Sequence, residues 1–421
     1  MLSSFFILAD SGDILIEKHW RGLMNRSICE YFWDQVSQSK QNGSSIPPII
    51  STPKYYLINI QKQHIYLLGV CQSEVSPLLV VDFLQRIYET FEEYFGRTIT
   101  SVTIKENFVH VYQLLDEMTD NGFPFTTELN FLKEMIKPPG VLSNVISSVT
   151  GTSNITDILP NGSLGAIQWR KTGIKYTQNK IFFDIIEEID CILDSNGYIV
   201  SSEINGEILC HCNLSGMPDL TMTFNNPRML DDVSFHPCVR YSRWENDRVL
   251  SFIPPDGNFK LLTYRVKGIN QFPIYVKPQI SYSEGSSSMG RVNVTIGAKG
   301  YNVQNKLSIE DVVATIPFSK TTSSTNLTAN IGSFGMDEQT KILKWNIGKI
   351  PKEKTPFLNG SVSLIAGSMT PESTPSIMLQ FKIPQYAISG LTIDSLACSE
   401  RYKPFKGVKC TTKAGKFQVR S

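Results

Sequence analysis

Two adjacent prolines, Pro138-Pro139, and the stretch that follows them constrain this chain more than any other feature. Proline cannot continue a helix and pushes the residue before it out of the helical region, so any helix upstream must end there. From Gly140 to Ile167 the chain is rich in Ser, Thr, Asn and Gly with sparse apolar residues. Such a segment has too little to bury to join a core. In a chain of 421 residues this interruption demands a separate core on each side, since single cores rarely grow past about 250–300 residues. The reading places domains at 1–140 and 169–421 with a flexible linker at 141–168.

The two sides differ in period. Upstream, Ser3–Ala9, Ile14–Lys18, Tyr55–Ile60 and Ile65–Val70 are short apolar or alternating runs, the first two joined by a Ser11-Gly12-Asp13 turn. Val80, Leu84, Ile87, Phe91 and Tyr94 step by four and three along Pro77–Phe95, the spacing of one helix face, and Gly96 supplies a stop. A second helix is predicted over Asn107–Asp120 with Phe108, Val111, Tyr112 and Leu115 inward. Downstream of Trp169 strand follows strand: Ile181–Leu193, Tyr198–Ile204, Glu207–Leu214, Phe259–Val266, Ile274–Tyr282 and others. Asn196-Gly197 and Asn205-Gly206 suit two-residue hairpins. The expected class is α+β, a small α/β domain followed by an all-β sandwich.

Composition removes several functions. Lys plus Arg is 40 and Asp plus Glu is 39, so no overall field favours nucleic acid. No apolar run approaches the roughly 20 residues that cross a bilayer, and Phe5–Ala9 is cut short by Asp10, so neither signal peptide nor anchor is expected. The eight cysteines show no paired framework and are expected to be reduced. Cys210-His211-Cys212 sits on a predicted strand, where the thiols face one way and the imidazole the other, so no metal site is expected. Asp231, Asp232 and His236 lack a nucleophile or phosphate cradle and read as turn residues. Neither catalysis nor a cofactor is expected.

Five ordered motifs remain: Trp169-Arg170 with Gly173-Ile174-Lys175-Tyr176, then Leu214–Leu220 (LSGMPDL), Phe235–Arg240 (FHPCVR), Ser251–Arg265 (SFIPPDGNFKLLTYR), and SGL at Ser389 with the terminal Lys413–Arg420 (KAGKFQVR). In this order they resemble the mu homology domain of the medium (mu) subunits of clathrin-associated adaptor complexes. The resemblance implies a longin-like N-terminal domain within a heterotetramer of two large adaptin subunits and one small sigma subunit. It also implies a C-terminal domain that reads Y-x-x-bulky-hydrophobic signals in the cytosolic tails of membrane cargo. Such complexes work peripherally on the cytoplasmic face of the Golgi and endosomes and route cargo toward lysosomes and related organelles.

The resemblance places the tyrosine pocket in KIFFDIIEE, with Phe182 stacking on the ring and Asp184 accepting from the phenol. Two residues apart on a strand, both point to one face. Where the family's tail strand has Trp, an apolar residue and Arg, this chain has Gly407, Val408 and Lys409. Lys keeps the charge but not Arg's planar fork, and Gly removes a flat contact surface. These departures leave open a purely structural subunit with an empty peptide site. His211 stands where relatives carry Lys, and Leu391 and Val408 are candidates for the hydrophobic end of the signal. Arg401–Ser421 holds seven basic residues and no acidic one, so Lys403, Lys406, Lys413 and Lys416 are candidates for docking on an anionic phosphoinositide membrane. Ser147, Ser148, Thr150, Thr152, Ser153 and Thr156 in the linker are open to a kinase.

Overall fold

The structure, a computed structural model, describes residues 1–139, 167, 169–269, 271–282, 289–299, 307–351, 354–365 and 375–420. The expected linker and its serines and threonines lie outside the described residues. The chain divides into two compact units, Met1–Thr172 and Gly173–Ser421.

The first unit is an antiparallel sheet of β1 (Ser4–Ala9), β2 (Ile14–His19), β3 (Ile49–Ser51), β4 (Tyr56–Lys62) and β5 (Ile65–Cys71) in the order β2-β1-β5-β4-β3. Every residue of β1 and β5 is buried because helices cover both faces. Phe5 and Ile7 join a core with α2 (Pro77–Phe95) and with α4 (Phe108–Met118), which follows α3 (Ser101–Glu106). Phe6 and Leu8, one residue out of phase, join a second core with α1 (Ser27–Gln41). The sequence reading did not anticipate α1, whose buried positions Ile28, Cys29, Phe32 and Val36 are followed by a polar last turn. The expected inward face of α4 also needs correction: Phe108 is 53% exposed, and His110 and Leu114 are buried in its place. A two-stranded ladder of β6 (Thr119–Asp120) and β7 (Phe123–Pro124) and the short helix α5 (Leu129–Met135) complete the unit.

The second unit is built from β8 (Lys180–Leu193), β9 (Ile199–Asn213), β10 (Leu220–Phe224), β11 (Asp231–Phe235), β12 (Leu250–Phe252), β13 (Gly257–Lys267), β14 (Ile274–Tyr282), β15 (Met289–Ala298), β16 (Glu310–Pro317), β17 (Thr322–Ala329), β18 (Ser333–Asp337), β19 (Ile342–Gly348), β20 (Phe357–Leu364), β21 (Ile377–Pro384), β22 (Ile393–Cys398) and β23 (Phe405–Val419). Nine of these form one sheet in the order β11-β13-β9-β8-β23-β21-β16-β19-β18, beside sheets β14-β15-β20-β17 and β12-β10-β22. Period-two sequence decides the faces. Along β8, Ile181, Phe183, Ile185, Glu187, Ile189, Cys191 and Leu193 are buried and the alternate residues are not.

Asn205-Gly206 does not form the expected hairpin; it lies inside the continuous strand β9. Gly206 pairs with Tyr264 on β13 and with Glu187 on β8. A Cβ at 206 would stand 2.1 Å from Tyr264 Cζ, so the missing side chain makes room for that ring to cross β9. Asn196-Gly197 does turn the chain between β8 and β9, with Gly197 at φ 83°.

Candidate functional site at an open strand edge

The site begins with an unfinished ladder. Strand β23 runs parallel to β8 along its length, but on its other side β21 reaches only from Val419 back to Thr411, where Pro384 ends that strand. Residues 405–410 are therefore bonded to β8 alone, and their second edge is open. Strand β8 itself is interior, between β9 and β23. An unpaired run of backbone donors and acceptors is a template for an added strand.

Register builds two rows of side chains on the outer face. Gly407, Phe182 and His211 align across β23, β8 and β9, and Lys409, Asp184 and Leu209 form the next row. The Phe182 ring lies over Gly407, its Cδ1 2.5 Å from where a Cβ would be. It packs against Phe405 at 5.8 Å and against His211 at 6.3 Å between ring centroids. His211 is held from below its edge: Nδ1 bonds Asn258 Oδ1, and Nε2 accepts from Asn213 Nδ2 at 3.2 Å. Phe405, 63% exposed, was not among the expected site residues. Its signal was present, an aromatic two positions before Gly407 and so on the same face.

Asp184 is exposed. Among the described residues neither Asp184 nor Lys409 makes an ion pair, although they are neighbours in register. The carboxylate is thus an uncommitted acceptor beside an aromatic row, and a group laid over it would strip its water.

Val408 points to the opposite face from Gly407 and Lys409, and is 51% exposed where the open edge leaves it uncovered. On that same face Lys406 Nζ donates to the carbonyl of Leu396 on β22. Leu391, expected at the hydrophobic end of the signal, is instead fully buried at 0% exposure, and its N–H donates to Ser389 Oγ at 3.0 Å. Ile393 and Leu396 on β22 are half-buried, and Leu396 is the residue whose carbonyl Lys406 reaches.

The tail lysines do not form one basic face. Lys406 turns toward β22, whereas Lys413 stands beside Glu188 in register and lines a cavity of about 430 Å³ with Glu188, Glu207, Asp232 and Arg265. Lys416 lies within the bulge between Ala414 and Phe417, its N–H donating to Asp190 Oδ1. Lys403 is exposed. The carboxylates of Glu188 on β8 and Glu207 on β9 therefore offset the charge of Lys413.

Among the described residues no group of three His, Cys, Asp or Glu could hold a metal. Cys210 and Cys212 are buried and His211 faces out; burial pushes the Cys210 thiol well up. Asp231 lies in an ion pair with Lys267 at 3.0 Å, whose hydrogen bond holds its carboxyl below the usual range, and Asp232 pairs with Arg265 at 3.5 Å. His236 Nδ1 accepts from the Cys238 N–H. Asp231 and Asp232, expected in a turn, instead lie within β11 at its irregular first residues, where these pairs to β13 hold them.

An α/β unit followed by a large β-sandwich with an open strand edge is the architecture expected of an adaptor medium subunit. The sequence model of the adaptor complexes medium subunit family matches residues 167–421, and the chain belongs to that family. It is 95% identical to the AP-3 complex subunit mu of Dictyostelium discoideum over 100% of both chains. Identity is 52% to the AP-3 complex subunit mu-1 of Gallus gallus and 50% to that of Homo sapiens, again covering 100% of each. In a solved assembly described as "Homology model of the full-length AP-3 complex in an intermediate open conformation", one chain shares the fold with TM-score 0.65 at 16% identity over 100% of both chains. The segments SGDILIEKHW, ISTPKYYLI and YKPFKGVK carry the resemblance to the third adaptor complex in particular. The chain is a subunit of a multi-subunit adaptor complex in vesicle-mediated protein transport, and not an enzyme. Among the described residues no helix is long and apolar enough to cross a membrane.

Proposed function

We propose that the open edge of β23 receives Y-x-x-bulky-hydrophobic signals from the cytosolic tails of membrane cargo as an added strand. The complex it serves, with two large adaptin subunits and one small sigma subunit, sorts that cargo from Golgi and endosomal membranes toward lysosomes and related organelles.

One observation carries the reading. Residues three apart in an extended strand point to opposite faces, so a Y-x-x-hydrophobic signal needs its two pockets on opposite sides of one edge. Phe182, Asp184 and Lys409 lie on the outer face of residues 405–410, and the exposed Val408, with Leu396 beyond it, lies on the other. Ring stacking on Phe182 contributes about 0.5–1.5 kcal/mol, and a phenol donating to Asp184 adds about 1.5 kcal/mol as a bond to a charged acceptor. A phosphotyrosine would set its charge against that carboxylate.

The test is a calorimetric titration of the full-length chain with one signal peptide in tyrosine and phenylalanine versions. Tyrosine is expected to bind about tenfold tighter, and Asp184→Ala should erase the difference without lowering the melting temperature. Equal binding of both peptides to the unaltered chain, or none of either, would leave the purely structural subunit as the answer.

A further inference from the structure

Resting on the signal-binding reading, we propose that the buried carboxylate Glu187 positions the β22 wall that reads the hydrophobic end of the signal. Glu187 is 0% exposed and lies on the inner face of the strand whose outer face carries Phe182 and Asp184. Among the described residues it has no cationic partner. Three donors converge on it instead: Tyr264 Oη at 2.7 Å, the Ser389 N–H at 3.0 Å, and Ser389 Oγ. Burial and the adjacent carboxylate push the Tyr264 phenol upward, which keeps it a donor. Tyr264 reaches Glu187 only because Gly206 leaves its path clear.

Ser389 lies within the connection between β21, which ends at Pro384, and β22, which begins at Ile393, and each following step is tied down. Its Oγ accepts from the Leu391 N–H, Leu391 is buried, and Thr392 donates its N–H to Asn225 Oδ1 at 2.9 Å while its carbonyl accepts from the Asn225 N–H at 3.1 Å. The chain then enters β22, where a bulge between Ile393 and Ser395 sets the half-buried Ile393 and Leu396 on one side, opposite Phe224 and Met222. The Leu396 carbonyl takes the bond from Lys406, which shares its face with Val408. A carboxylate without a cation is expensive to bury. A hydrocarbon of equal size would fill the space but could not fix the direction of the Ser389 turn. Glu187 is therefore a positioning residue: it touches no signal atom, and it acts through Ser389 on the wall opposite Val408.

The experiment measures two preferences on the full-length chain. A reference Y-x-x-Leu peptide is compared with a version carrying Ala for Leu and with one carrying Phe for Tyr. In Glu187→Gln, and in Tyr264→Phe, which keeps the ring in its place, the Leu-over-Ala preference should fall about fivefold while the Tyr-over-Phe preference stays as in the unaltered chain. Amide exchange over Ile393–Cys398 should quicken in parallel. Both preferences unchanged in Tyr264→Phe, or both falling together, would overturn the positioning role. Absence of either preference in the unaltered chain would instead overturn the signal reading, and is seen before any variant is made.

Discussion

Gly407→Ala probes the outer-face row directly. The added methyl would stand 2.5 Å from Cδ1 and 2.8 Å from Cε1 of Phe182. Carbon atoms settle at about 3.5–4.0 Å, so the ring must retreat by roughly 1 Å or more. Phe182 is half-buried and not part of the core, so it can swing outward without opening the sandwich. What it loses is its packing on Phe405 and His211, each aromatic contact contributing about 0.5–1.5 kcal/mol. That loss predicts signal-peptide affinity reduced about three- to tenfold by calorimetry, with a melting temperature lowered by no more than about 4 °C in a unit of this size. Unchanged affinity would refute the role of the row. An increase would mean that the ring over Gly407 blocks the tyrosine pocket and does not form it.

Other substitutions test separate links. Lys409→Arg restores a planar fork beside Asp184 and should tighten tyrosine-signal binding about two- to fivefold in the same titration. Gly206→Ala would drive a methyl to 2.1 Å from the buried Tyr264 ring, overpacking worth about 1–3 kcal/mol plus the bond to Glu187, and a wild-type melting curve would refute it. Two bonds from Arg26, each 2.8 Å, hold the Glu17 carboxyl below the usual range. A depressed carboxylate stabilises the fold above its unfolded value and ceases to as pH falls through its folded one. Melting temperatures taken from about pH 7 to about pH 3 should therefore decline less steeply in Arg26→Met than in the unaltered chain. Binding of the full-length chain to phosphatidylinositol-phosphate vesicles through the tail lysines alone should be weak, because Glu188 and Glu207 flank Lys413. Strong, salt-sensitive binding lost in Lys413→Ala would contradict that.

What the sequence disclosed was what neighbouring residues decide. The alternation in KIFFDIIEE was enough to place Phe182 and Asp184 on one face, and the spacing of Val80, Leu84, Ile87, Phe91 and Tyr94 was enough for α2, all five being buried. What it concealed depends on partners far along the chain. Asn205-Gly206 has the composition of a turn, yet Tyr264 on another strand gives the glycine a different use. Leu391 is apolar and adjacent to the SGL motif, but nothing local tells that the Ser389 turn draws it inward and leaves Ile393 and Leu396 for the edge. The open edge itself follows from where β21 stops, at Pro384, a proline that cannot donate to the ladder.

The parallel pairing of β8 with β23 has a consequence for the timing of biogenesis. Asp184 and Lys409 lie side by side although some 225 positions separate them in the chain. Contacts of that span are among the slowest to close. A ribosome-bound or partly folded chain holds only half of this row, so under the proposed function a tail could be gripped only by molecules whose sandwich is already shut.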